Sequence, residues 1–87
     1  MEEVYTVIPD DFERAGAAST SLKGLLKQLG LAPELIRRIA IGTYEGEMNC
    51  LIHGGGGTIR ARLDPEKVTI SIEDHGPGIP DLSLIHI

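Results

Sequence analysis

The sequence is poor in several residue types, and each shortage narrows the kind of protein it can be. Its 87 residues include one cysteine, two tyrosines, one phenylalanine and no tryptophan. A single cysteine excludes an internal disulfide and is typical of a reducing compartment. Few aromatics and a formal net charge of −5 argue against a surface that stacks bases or binds the phosphate backbone of a nucleic acid, so we expect no nucleic acid partner.

Long apolar runs are missing as well. No stretch approaches the roughly 18 apolar residues of a membrane span, and the opening MEEVYTVIPD is acidic and too short in apolar run for a signal peptide. We therefore expect a cytoplasmic protein without a membrane partner. A composition of 41% hydrophobic and 24% charged residues fits one small globular domain or part of one.

Apolar periodicity predicts an α+β fold with the element order β-α-α-β-β. Residues 4–8 alternate as in a strand, and an amphipathic helix is expected from a cap at Asp10 or Asp11 to a stop at Gly30. A second helix opens at Pro33 and is expected to be largely buried. The runs TIRARLD and VTISIED alternate with period two, which predicts an antiparallel hairpin with one wet face. The result is a two-layer α/β sandwich.

The end of the chain, LSLIHI at 82–87, continues no period. One nucleotide spelling of it, CTG TCT CTT ATA CAC ATC, is similar to the transposon adapter of sequencing libraries. We interpret 82–87 as an adapter-derived, non-native tail rather than a short native strand, and give His86 no function. Residues 1–81 are then the N-terminal part of a single domain.

The stretch EGEMNCLIHGGGG places polar chemistry in the second helix. Glu45 and Asn49 are four residues apart and share a face with Ile41 and Ile52, which predicts a polar pair inside a buried apolar stripe. Such a pair requires either an internal hydrogen-bond network or a ligand. Glu47 points about 160° away from the pair and is expected on the solvated surface.

Other polar residues of this stretch have simpler explanations. We expect Cys50 to be a packed thiol and His53 to be a cap or packed imidazole rather than a metal ligand. The run HGGGGTIR lacks the Gly-Lys-Ser/Thr ending of a P-loop and precedes a strand, so it predicts a flexible connector.

The second motif is EDHGPGIPD, in which a strand leads into Asp74 and then Gly76 and Gly78. A carboxylate accepts hydrogen bonds from an amino group, and glycines let the backbone lie close to a flat ligand. Alone, the motif also fits an ordinary turn with an exposed His75. Its combination with Glu-x-x-x-Asn on a helix about thirty residues earlier is far more specific.

Together these motifs resemble the histidine-kinase-like ATPases, also called the GHKL family. Glu45 and Asn49 match that family's N-box, and Asp74, Gly76 and Gly78 match its first glycine box; the likeness covers nearly all of 1–81. The compact start and the form EMNCLIHG are most similar to the bacterial anti-sigma regulatory kinases.

The resemblance implies ATP and Mg²⁺ as cofactors. In that family Asn49 would coordinate Mg²⁺, Asp74 would hold the adenine amino group, Gly76 and Gly78 would shape the adenine pocket, and Glu45 would be the general base. The intact protein would phosphorylate a serine of an antagonist protein and sequester a sigma factor, with a homodimer as one possible state. The alternative is a nucleotide-dependent binding switch without transfer activity.

The sequence departs from the family at its end. The second glycine-rich box and the lid over the phosphates, which the family places downstream, do not occur in it. Because closure supplies much of nucleotide affinity, we expect 1–87 alone to bind ATP weakly, if at all, and to be inactive.

Overall fold

A computed structural model describes residues 1–53, 55–74 and 82–86 of the chain. One antiparallel sheet has the order β1-β2-β3-β4, and two helices pack on one of its faces. The strands are β1 (Glu2–Val7), β2 (Gly57–Leu63), β3 (Val68–Asp74) and β4 (Leu82–His86). The helices are α1 (Ala17–Gln28) and α2 (Pro33–Ile52), and a 3₁₀ turn, Phe12–Arg14, precedes α1. The predicted α+β sandwich is confirmed.

The predicted hairpin is the centre of the sheet. β2 and β3 pair antiparallel, with Ala61 opposite Ile70. The alternating residues face the helices and are buried, whereas Arg60 and Arg62 on the other face are exposed. The core of the described chain joins this face to both helices; it includes Leu22, Leu26, Ile36, Ile39, Cys50, Leu51, Ile59, Ala61, Val68, Ile70 and Ile72.

The first helix begins later than its periodicity predicts. The chain forms the 3₁₀ turn, passes through Gly16 in the left-handed region at φ 85° and only then enters α1 at Ala17. Asp11 makes no side-chain cap, and Phe12, predicted to belong to the apolar stripe, is 59% exposed. Glycine adopts a positive φ without steric cost, so the break falls at Gly16 and separates the two segments.

The second helix begins at Pro33, as predicted, but only part of its surface is buried. The sheet and α1 cover two sides, and the third side leaves Ile41 54% and Ile52 51% exposed. Apolar content alone therefore overstated the burial of α2.

No helix in the described ranges is long and apolar enough to cross a membrane.

Residues Leu82–His86 lie in β4, antiparallel to β3, with Ile85 opposite Ile70. This segment therefore adopts an extended conformation as the strand next to β3. The adapter origin of 82–87 stays a prediction, which the nucleotide sequence of the gene would test.

Candidate functional site

Three consecutive residues in the C-terminal half of α2 face three different surroundings. Glu45 is exposed, Gly46 lies against Ile72 of the sheet, and Glu47 is buried toward α1. Asn49 is exposed like Glu45. Since successive residues of a helix are about 100° apart, these contacts define which side of α2 faces outward.

Glu47 is not the solvated surface acid that the sequence predicts. Its side chain is 3% exposed, and its two carboxylate oxygens accept hydrogen bonds from the backbone N–H groups of Ala18 and Ser19, each at 3.0 Å. The first N–H groups of a helix have no partner within the helix. α1 has Gly16 at its N-cap and no side-chain cap bond, so a carboxylate from α2 supplies the acceptors.

The burial of Glu45 and Asn49 is also the reverse of the prediction. They share a face with Ile41 and Ile52, but that face points outward. Neither side chain makes a hydrogen bond within the described chain. A buried internal network is therefore not what holds them, and their exposed positions are open to a ligand.

Asp74 ends β3 at the side of the sheet where α2 also ends. In the register it lies opposite Gly57 of β2, and a Cβ atom on Gly57 would lie 2.7 Å from the Cys50 Sγ atom. Cys50, packed and buried as predicted, directly follows Asn49. The fold thus brings the end of β3 to the turn of α2 that carries Asn49. Asp74 is half-buried and engaged with other groups.

Gly76, Gly78 and His75 lie outside the described residues. Their roles, like those of Glu45, Asn49 and Asp74, stay predictions.

Glu45 borders a groove between the outer surfaces of α1 and α2. The groove holds about 460 Å³. Its lining includes Lys23 and Arg37 but not Asn49. Of the two residues, Glu45 alone lines this groove, although both lie on one helical face.

Asn49 suits a magnesium ion because its carboxamide oxygen is a hard ligand on an exposed side chain. Mg²⁺ commonly takes one or two protein ligands and completes its octahedron with phosphate oxygens and water. His53 is exposed at the end of α2, where its N–H bonds to the Asn49 carbonyl at 2.9 Å. The described residues contain no cluster of three or more His, Cys, Asp or Glu side chains that could hold a metal.

Two residues of α2 were missed by the sequence reasoning. No role was predicted for Gly46, which lies against Ile72, or for Thr43, which is fully buried with no partner for its Oγ1 atom among the described residues. A glycine inside an otherwise regular helix was the available signal, since it indicates a close approach by another element.

Comparison with known families agrees with this architecture. The family model of the histidine kinase-like ATPase domain matches residues 8–85. The chain belongs to the histidine kinase-like ATPase domain family, whose members are nucleotide-binding ATPase-like domains. Searches of curated proteins and of solved structures found no significant match.

Proposed function

We propose that this chain belongs to the ATP-binding domain of an anti-sigma regulatory serine/threonine protein kinase. The proposal extends the family's nucleotide binding to transfer of the γ-phosphate onto a serine of an antagonist protein. The observation that supports it is the contact path from Asp74 through Gly57 to Cys50, because Asp74, our candidate for adenine recognition, then lies near the turn of α2 that bears Asn49.

Each candidate residue has a distinct chemical part. The Asp74 carboxylate accepts a hydrogen bond from the adenine amino group, and the Asn49 carboxamide oxygen binds Mg²⁺. The metal, when bound, neutralises charge on the phosphate oxygens. Glu45 takes the proton of the serine hydroxyl while the serine oxygen forms a bond to the γ-phosphorus. The bond between the γ-phosphorus and the oxygen that bridges it to the β-phosphorus breaks, and ADP leaves.

The choice of base between the two nearby carboxylates is supported by their environments. Both oxygens of Glu47 accept backbone N–H groups, and the side chain is buried. A proton acceptor must reach its substrate, and Glu47 is withdrawn from any incoming hydroxyl. Glu45 is exposed and is the carboxylate assigned as base.

A second candidate function is a nucleotide-dependent binding switch without transfer. It is favoured by the groove between the helices, which Glu45 lines together with Lys23 and Arg37. In this case ATP binding orders a surface for a protein partner such as a sigma factor, and Glu45 contributes to that surface.

Incubation of the full-length protein with ATP labelled on the γ-phosphate and a candidate antagonist separates the two functions. Label on the antagonist, lost when its acceptor serine is replaced by alanine, supports the kinase. A complex that requires ATP but carries no label supports the switch. Absence of any nucleotide-induced shift of the melting temperature contradicts both.

A further inference from the structure

Glu47 has a position in the fold that the nucleotide motif does not explain. We propose that Glu47 is a positioning residue: its carboxylate caps the N-terminus of α1 from across the helix interface and thereby holds α2 with Glu45 and Asn49 facing outward. The cap is a feature of the fold and does not depend on any function, whereas the positioning role rests on the proposed function.

The Glu47 carboxylate caps this helix end with both of its oxygens. Oε2 accepts the Ala18 N–H and Oε1 accepts the Ser19 N–H, both at 3.0 Å, and the Ser19 hydroxyl donates to the Gly16 carbonyl at 3.0 Å. Carboxylate bonds to backbone N–H groups at a helix start are charge-assisted and favoured by the helix dipole. Glu47, which is remote in sequence, therefore accepts the hydrogen bonds that a serine or aspartate at the N-cap itself usually accepts from the first N–H groups of a helix.

The charge of Glu47 is balanced by this helix end rather than by a cation. Salt bridges in the described ranges join Arg14 to Asp11 and Arg62 to Glu2, and neither involves Glu47. A carboxylate that is 3% exposed is costly to bury unless its hydrogen bonds are formed. Moving α1 away from Glu47 would leave a buried carboxylate without these hydrogen bonds, which is unfavourable. The position of α1 therefore depends on the rotation of α2 about its own axis.

Two adjacent residues fix that rotation against two different neighbours. Gly46 meets the sheet at Ile72, and Glu47, about 100° further round the helix, meets α1. A helix held at two such directions cannot turn about its axis without breaking one contact. Glu45 and Asn49 lie on the side that both contacts leave open.

The test uses three substitutions at Glu47 in the full-length protein. Glu47→Gln keeps the length and one acceptor oxygen but sets an NH₂ group against a backbone N–H, Glu47→Asp keeps the charge but is one methylene too short, and Glu47→Ala removes both acceptors. Glu34→Gln, an exposed carboxylate on the same helix, is the matched control.

Two readouts are measured on the same samples. Hydrogen exchange of the Ala18 and Ser19 amides reports the cap without any nucleotide, and calorimetry with Mg-ATP reports affinity per folded molecule. We expect exchange at one or both amides to rise by about 10-fold or more in Glu47→Gln and further in Glu47→Asp and Glu47→Ala. Mg-ATP affinity should fall in the same order, by about 10-fold for Glu47→Ala, with both readouts unchanged in Glu34→Gln.

The possible failures are distinct. Unchanged amide exchange in Glu47→Gln and Glu47→Asp overturns the cap. Faster exchange with unchanged Mg-ATP affinity leaves Glu47 a stabilising residue and overturns its positioning role. An unsubstituted protein that does not bind Mg-ATP overturns the proposed function and with it the positioning role, while the exchange rates still decide the cap. If Glu47→Ala does not fold, Glu47→Gln carries the test.

Discussion

Gly46 of α2 lies directly against Ile72 of β3, so closely that a methyl group on Gly46 would overlap the Ile72 Cδ1 atom. Ile72 is itself buried in the core. The helix that carries the N-box therefore approaches the sheet to a distance that only a residue without a Cβ atom permits.

We expect Gly46→Ala to destabilise the fold. Overpacking a core typically costs about 1–3 kcal/mol, against which alanine regains about 1 kcal/mol of helix propensity. In an Ile72→Val background the clashing methyl is absent, so Gly46→Ala should cost less there. Denaturant unfolding of the four proteins measures this coupling.

Gly24 of α1 provides the matched control, since a Cβ atom built there has nothing within 4 Å. Gly24→Ala should therefore stabilise the protein by about 0.5–1 kcal/mol. An equal cost of Gly46→Ala in both Ile72 backgrounds would contradict the contact.

The adenine end of the site is tested by Asp74→Asn. The substitution keeps the shape of the side chain but replaces a carboxylate acceptor by an amide that can present a donor to the adenine amino group. We expect ATP affinity of the full-length protein to fall by about 2–3 kcal/mol, or roughly 30- to 150-fold. Calorimetry measures this loss.

GTP serves as the control ligand, because its ring carries a carbonyl where adenine carries the amino group. GTP should bind the unsubstituted protein poorly and gain relative to ATP in Asp74→Asn. Unchanged ATP affinity would remove Asp74 from the site.

Glu45 and Asn49 should affect different steps of the reaction. Both are exposed, so replacing either by alanine should change the free energy of unfolding by no more than about 0.5 kcal/mol. Glu45→Ala should keep Mg-ATP binding within a few-fold but slow transfer by about 10²–10⁴-fold. Asn49→Ala should weaken nucleotide binding much more with Mg²⁺ than without it.

Transfer rate, Mg-dependent affinity and melting temperature, measured on the same two variants, distinguish these roles. A large fall in melting temperature for both variants, with nucleotide binding per folded molecule unchanged, would show a structural network in place of a site.

Tyr5 of β1 gives the protein a pH dependence at the alkaline end. Partial burial, and secondarily the negative charge of Glu3, raise the pKa of the Tyr5 phenol above its usual 10.0. The folded state therefore holds the phenolic proton more tightly than the unfolded chain does. This contribution to stability is fully present below pH 10 and is lost as the pH rises through the folded-state pKa.

Tyr5→Phe should accordingly lose less stability than the unsubstituted protein as the pH rises above about 10. Glu3→Gln should lower the pKa of Tyr5 but not to its usual value, because the burial remains. Titration of tyrosinate absorbance in a Tyr44→Phe background follows Tyr5 alone, since the chain has two tyrosines. A Tyr5 pKa at or below its usual value would contradict the predicted shift.

The parts of the fold that follow from local patterns could be predicted from the sequence. Alternation along β2 and β3 identified the buried face that includes Ala61 and Ile70, and Pro33 marked the start of α2. A strand's inward face depends on a period of two residues, which is visible in a short window.

The environment of Glu47 could not be predicted in the same way. A helical wheel gives the angle between side chains but not the direction from which another helix approaches. The angle between Glu47 and the pair Glu45 and Asn49 was therefore predicted correctly, but Glu47 was expected to face solvent where it faces α1. The left-handed Gly16 delays the start of α1 and leaves that start without its own cap. This tertiary arrangement decides that Glu47 is buried and Glu45 exposed.

The pairing of β1 with β2 has a consequence for how the protein is made. At one end of this pairing, the amino group of Met1 donates a hydrogen bond to the carbonyl oxygen of Leu63, 62 positions further along the chain. During synthesis β1 therefore leaves the ribosome long before its hydrogen-bonding partner exists, whereas β2 and β3 can form their hairpin as soon as both emerge. Closing so long a loop has an entropic cost, so we expect β1 to join last, as an edge strand added to a hairpin already covered by the helices.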